Sequence, residues 1–243
     1  MKDILPLKRL FIKTELKEKS LINLSVPNIH YISNVLRIRE KQKLSIFNGI
    51  QGEWEGIIQN LNRKKGLILI NKQIKKQEEE NLINIIYVPI KGHRNYYLIE
   101  KITELGISNI HPITSEYSVI KKFNYKRANA CAIAASQQSG RLNVPKIHEL
   151  KSLKSILPTW NKNDQIIFCD EKEKKIYFDD LFKLKLKKKI NTILIGPEGG
   201  FSLLEKKFLK SFNYVNGLSL GKRILRADTA AINALTLLID KTK

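Results

Sequence analysis

Two rhythms of apolar and polar residues divide the chain. From about Lys8 to Lys72 the apolar positions come in short runs: Arg9-Leu10-Phe11-Ile12, Lys43-Leu44-Ser45-Ile46-Phe47, Gly52 to Ile58 and Gly66 to Ile70. The second of these alternates and stops at Asn48-Gly49, a turn dipeptide, so each run predicts a short strand. His30 to Leu36 gathers its apolar residues on one side and predicts a helical segment. Short strands closed on themselves leave no open edge, which predicts a small β-barrel. Lys72 to Asn81 contains Gln77-Glu78-Glu79-Glu80 and almost nothing to bury, so it reads as a connection. Beyond Leu82 the rhythm lengthens. Strand-like runs at Ile83–Ile90, Ile110–Ile113, Ile166–Cys169, Ile193–Ile195 and Val215–Leu220 alternate with helical patterns at His93–Leu105 and Asn124–Gln138. Strands separated by helices predict an α/β fold with a mostly parallel sheet covered on both faces. The expected domains are 1–75, a linker over 76–81, and 82–243.

Two glycine-bearing loops stand out in the second half. The run Thr192-Ile193-Leu194-Ile195 empties into Gly196-Pro197-Glu198-Gly199-Gly200, and Ser202-Leu203-Leu204-Glu205 then supplies a capping-box pattern for a helix. A second loop, Leu220-Gly221-Lys222-Arg223-Ile224-Leu225-Arg226, follows the next strand-like run and leads through Ala227-Asp228-Thr229 into an apolar helix. One glycine turn is compatible with a plain connection. Two of them at strand ends, each opening a helix, are where open α/β sheets bind ligands. No Lys-Ser or Lys-Thr follows the glycines, which excludes a phosphate-cradling P-loop.

These two loops, Leu194 to Ser202 and Leu220 to Arg226 with the Asp228-Thr229-Ala230 after them, resemble the S-adenosylmethionine site of the SPOUT (α/β-knot) methyltransferases. Within that class they resemble the 16S ribosomal RNA (uracil-N3)-methyltransferases. The resemblance extends over nearly the whole chain. It takes in Arg9 with Phe11, Val35-Leu36-Arg37-Ile38, Phe47-Asn48-Gly49, Lys91-Gly92, Glu100 to Ile107, Pro112 to Glu116 and Ala134 to Arg141. It implies a C-terminal trefoil knot and an N-terminal PUA-like RNA-binding barrel. It places the cofactor on Leu194, Gly196, Glu198, Gly199, Gly200, Leu220, Gly221, Ile224, Leu225 and Arg226, with Phe168 to Glu171 closing a third side. It also implies a homodimer. The chain departs from the family in carrying Gln137 for Glu, Leu142 for Asn, and Ala227-Asp228-Thr229 for Thr-Glu-Thr.

The charge fits a polyanionic partner. Of 44 basic residues against 23 acidic, giving a net +21, only nine are arginine, and those are the informative ones because a planar fork suits phosphates and bases. Arg9, Arg37, Lys91 and Arg141 are the candidate RNA contacts, with Arg39 beside them. Lys183 to Lys189 reads as a solvated lysine-rich connection. No apolar run of transmembrane length and no continuous apolar leader is present. Cys131 and Cys169 lack metal spacing and His30, His93, His111 and His148 are scattered, so no metal and a reduced, cytoplasmic setting are expected.

The chemistry that the resemblance implies sets a specific demand. Uracil N3 is not nucleophilic while it holds its proton, and it sits on the pairing edge of the base. The target must be unpaired. Arg226 is the candidate for stabilising the uracil anion, and Asp228, or a water it orders, for receiving the proton. Ala230 to Ile239 is apolar on more than one face, which suits a partner subunit. Two other readings are a non-catalytic RNA-binding protein of ribosome assembly and a SPOUT enzyme acting on transfer RNA.

Overall fold

The computed structural model describes residues 8–170 and 189–242. Glu171 and residues 183–188 of the lysine-rich stretch lie outside the described residues. Contacts group the described residues up to Glu79, together with Ser136–Val144, into one compact unit. Glu80–Ala135 and the residues from Pro145 onward form the other.

In the first unit, β1 (Arg9–Phe11), β2 (Leu21–Asn23), β3 (Lys43–Phe47), β4 (Glu53–Leu61) and β5 (Gly66–Lys75) form one sheet in the order β1-β3-β4-β5-β2. β1 pairs parallel to β3, and every other pairing is antiparallel. Leu10, Ile32, Leu44, Ile46, Ile58, Ile68 and Ile70 make the centre of its core. Gly56 on β4 is required by this packing, because a Cβ there would lie 2.2 Å from Ile46 Cδ1. Helix α1 (Val26–His30) begins earlier than the apolar pattern suggested. Ser25 caps it by accepting the Asn28 N–H, and Pro27 sits in its first turn, where no N–H is needed. It continues as a π-helical turn over Tyr31–Val35. β5 runs on to Lys75 and pairs with Glu53–Glu55, so residues 72–75 are strand, not connection. Ladder hydrogen bonds come from the backbone and do not require apolar side chains.

The second unit carries a wholly parallel sheet. β6 (Asn84–Tyr87), β7 (Asn109–Thr114), β8 (Lys146–Ile147), β9 (Lys151–Ser152), β10 (Asp164–Cys169), β11 (Lys189–Ile195) and β12 (Val215–Leu218) give the order β12-β10-β11-β6-β7-β8, with β9 also on β7. Helices α2 (His93–Glu104), α3 (Tyr125–Ser139), α4 (Leu153–Ile156) and α5 (Leu203–Lys210) stand between strands, and α6 (Ala227–Thr242) follows β12. The last turn of α3 groups with the first unit. Gly106 ends α2 with φ +99°, its N–H on the Thr103 carbonyl, as its position after the periodic run predicted. Ser202 and Glu205 form the full capping box at the start of α5. The fold is the α/β arrangement that the strand–helix alternation predicted, with the two-residue strands β8 and β9 too short to leave a periodic signal.

Chain order and sheet order differ where it matters. The two glycine loops leave β11 and β12, and these strands are not neighbours. β10 lies between them and pairs with both. All three are parallel, so the loops and the end of β10 at Cys169 emerge together at the carboxyl edge of the sheet.

Candidate functional site

The three strand ends enclose a cavity of about 200 Å³. Gly196, Glu198, Gly200, Leu220, Gly221, Ile224, Leu225 and Arg226 line it, and so does the β10 end, Phe168-Cys169-Asp170. Leu194 does not, since its side chain is fully buried in the core and its backbone is spent in the sheet. Gly199 does not line it either. Sequence reasoning missed Ile195, Pro197, Phe201, Arg223, Ala227 and Ala230, which complete the wall.

Several glycines are explained by the geometry. A Cβ on Gly196 would lie 2.9 Å from Phe201 Cε2, so the missing side chain is what lets the Phe201 ring fold under the loop. Gly200 and Gly221 have φ of +72° and +124°, a region that L side chains rarely adopt. Apolar walls, exposed loop backbone and a carboxylate, Glu198, suit a ligand with an aromatic base and a positively charged centre.

The electrostatic frame of the site comes from a residue with no sequence signal. Arg94, in the first turn of α2, donates from Nε to Asp228 Oδ2 at 3.0 Å and from Nη2 to Oδ1 at 2.7 Å. Its Nη1 reaches Glu198. The bidentate fork is the geometry a guanidinium makes best with a carboxylate. Its hydrogen bonds hold the Asp228 carboxyl below the usual carboxylate range, despite burial that pulls the other way. Asp228 therefore stays ionised with both oxygens occupied, and it also accepts the Thr229 N–H at 2.9 Å. Arg226 lines the cavity, is exposed, and has no ion-pair partner among the described residues. Asp170, at the end of β10, pairs with Lys206 of α5. Burial pushes the Cys169 thiol up to about 12, so it is a neutral group in the wall.

The candidate RNA contacts divide. Arg37 is exposed, has φ +51°, and lines an open groove of the first unit with Arg39, Arg63 and His30. Lys91 is exposed at the start of α2. Arg141 is only 9% exposed, which leaves its side chain little surface to offer. Arg9 departs furthest from the expectation. Its Nε bonds Glu53 at 2.6 Å, its Nη1 the Ser136 carbonyl at 2.8 Å and its Nη2 the Arg141 carbonyl at 2.9 Å, with the guanidinium 4.3 Å from the Phe47 ring centre. Carbonyls freed at the end of α3 need donors, and Arg9 supplies them. Within the first unit it acts as a largely buried clasp, its donors turned to the protein's own carboxylate and carbonyls. No group of metal-binding side chains occurs among the described residues, and none of their helices is long and apolar enough to cross a membrane.

Comparison with known proteins agrees with this geometry. The RNA methyltransferase domain family matches residues 77–239, and the RNA methyltransferase PUA domain family matches residues 24–71. The chain is 36% identical to the ribosomal RNA small subunit methyltransferase E of Buchnera aphidicola subsp. Schizaphis graminum, covering 95% of this chain and 94% of that one. It is 32% identical to the protein of the same name from Rickettsia conorii, covering 93% of each. A Legionella pneumophila methyltransferase solved with bound S-adenosylmethionine superposes with a TM-score of 0.86 at 26% identity, over 98% of both chains. With its parallel sheet, its paired glycine loops and these matches, the chain belongs to the PUA-containing RNA methyltransferase family that includes the ribosomal RNA small subunit methyltransferase E proteins.

Proposed function

We propose that this protein transfers the methyl group of S-adenosylmethionine to N3 of an unpaired uridine in the RNA of the small ribosomal subunit. The observation that carries the reading is the convergence of both glycine loops on one cavity, with Arg226 in its wall and without an ion-pair partner among the described residues. The cavity is smaller than the roughly 300–1,000 Å³ typical of ligand sites. Of its lining residues, Phe168, Leu220 and Leu225 would hold the adenosine portion, and Glu198 and Asp170 would balance the positive charges of the methionine portion.

The cofactor, when bound, supplies an electrophilic methyl on a sulfonium. The protein must hold the uracil ring in line and favour loss of the N3 proton. Arg226 stabilises the uracil anion as the N3–H bond breaks. The N3 anion so stabilised would take the methyl as its bond to sulfur is given up. Asp228 is not the proton acceptor in this scheme, because Arg94 occupies both of its oxygens and keeps it a weak base. Its work is to hold Arg94, and through it Glu198, at the cavity; the proton leaves to solvent at the mouth. The exposed groove with Arg37 and Arg39 grips phosphates of the same RNA. The reading extends to a homodimer in the cytoplasm, with half-exposed apolar residues of α6 such as Leu237 toward the partner copy.

The test joins cofactor binding to product mapping. Calorimetry should show S-adenosylmethionine binding, and small subunits from cells lacking the protein should take up one methyl at one uridine N3. Arg226→Ala should retain cofactor binding and lose at least a hundredfold in turnover. Binding of RNA without any methyl transfer would instead identify an assembly factor, and methylation of transfer RNA alone would move the substrate.

A further inference from the structure

Two aromatic side chains are among the exposed large apolar groups, Tyr97 at 47% and Tyr117 at 50%. Tyr97 has company, with the Lys101 ammonium 5.7 Å from its ring centre. Tyr117 has neither a ring partner nor a hydrogen-bond partner among the described residues. An exposed tyrosine is ordinary in itself. The mounting of this one is not.

Tyr117 sits in a turn closed twice over. The Ser118 N–H donates to the Ser115 carbonyl at 3.1 Å, and the Ser115 N–H donates to Ser118 Oγ at 2.6 Å. Both serines are buried. The Glu116 N–H donates to Glu205 Oε1 at 2.8 Å, while Glu205 Oε2 accepts the Ser202 N–H at 3.0 Å to complete the α5 capping box. One buried carboxylate thus ties the Tyr117 turn to the helix that opens directly after the first glycine loop. The loop is close: a Cβ built on Gly199 would lie 3.9 Å from Tyr117 Cβ and 4.0 Å from its Cδ2. Glu198 and Gly200, on either side of Gly199, both line the cavity.

These bonds fix the turn that carries Tyr117, and its half-exposed aromatic side chain stands beside Gly199, which lies between two residues that line the cavity. Unpaired bases are held by stacking on such faces, and a tyrosine loses little entropy when it does so. Lys121 and Lys122, exposed a few residues on, offer charge for the flanking phosphates. We infer that Tyr117 is a stacking platform for an unpaired base of the RNA at the mouth of the cofactor cavity. This rests on the methyltransferase reading and adds to it the residue that presents the base.

The experiment compares Tyr117→Leu, Tyr117→Phe and Tyr117→Trp in the full-length protein, with small ribosomal subunits as substrate. The leucine variant keeps apolar bulk without a π-face and should raise KM for the subunit about tenfold. Its S-adenosylmethionine affinity and its mass in solution should stay as in the wild type. The phenylalanine and tryptophan variants should lie within about threefold of the wild type. The inference is overturned if the leucine variant matches the wild type in KM and kcat. It is equally overturned if that variant weakens cofactor binding in step with KM, or shifts the oligomeric state, or if the phenylalanine variant is as impaired as the leucine one. Where the wild type binds RNA but transfers no methyl, the catalytic reading alone fails, and the same ordering of variants in RNA affinity decides the stacking role.

Discussion

Arg94 and Asp228 stand 134 positions apart in the chain and meet through two hydrogen bonds, at 3.0 and 2.7 Å. The pair joins the start of α2 to the start of α6, and the third arm of the guanidinium reaches Glu198 in the first glycine loop. It is the link through which three separate segments hold one wall of the cavity.

Arg94→Ala leaves the Asp228 carboxylate largely buried without its cation. The expected cost is about 2–3 kcal/mol of stability, with weaker cofactor binding. Arg94→Lys should recover only part, because an ammonium cannot make the fork. Asp228 also carries an acid signature. Its carboxyl titrates lower in the folded state than in the unfolded chain, so it contributes stability above about pH 4 that is lost as pH falls through the folded value. Asp228→Asn should flatten that part of an acid unfolding curve, and an unchanged curve would refute the pairing.

Gly196→Ala should cost about 1–3 kcal/mol, because the new methyl meets the Phe201 ring at 2.9 Å. Phe201 lines the cavity, so a displaced ring takes up ligand space, and calorimetry should show at least a tenfold loss in S-adenosylmethionine affinity. Gly199→Ala is the contrast. Its nearest atoms are at 3.9 and 4.0 Å, its φ is not in the positive region, and it should behave much like the wild type.

Arg9→Ala removes four charge-assisted hydrogen bonds and leaves the Ser136 and Gln137 carbonyls at the end of α3 without this donor. Thermal unfolding should show a loss of about 2–4 kcal/mol, and Arg9→Lys should rescue little of it. Arg37→Ala should do the reverse, with stability kept and RNA affinity reduced more at low salt than at high.

His111 and His148 stack with ring centres 3.9 Å apart, and the Trp160 ring stands edge-on to His111. Burial first, then the charge of His148 and of nearby lysines, lowers His111 to about 3. The unfolded chain binds this proton near pH 6.5, so stability is full above that value and falls as pH drops from about 6.5 toward 3. The slope is at most roughly 1.4 kcal/mol per pH unit for each such proton. Replacing His111 by Phe should shallow the slope in that window, and an NMR titration should find the His111 ring neutral at pH 5.

Much of the fold could be read along the chain. The capping box at Ser202 and Glu205, the Gly106 stop and the change from short alternating runs to strand–helix alternation all rest on interactions within about four residues, where periodicity and capping rules operate. The two glycine loops were visible for the same reason, since each is a local departure from regular structure. What lay beyond the sequence is what depends on sheet order. β10 separates β11 and β12 although it precedes both, so its end becomes the third wall of the cavity. Arg9 becomes a clasp and Arg94 a brace because distant backbone and carboxylate groups arrive beside them. An arginine in a basic chain looks the same whether it will meet RNA, a helix end or an aspartate. Its long side chain has no periodic signature, and only the packed structure decides which acceptors lie within its reach.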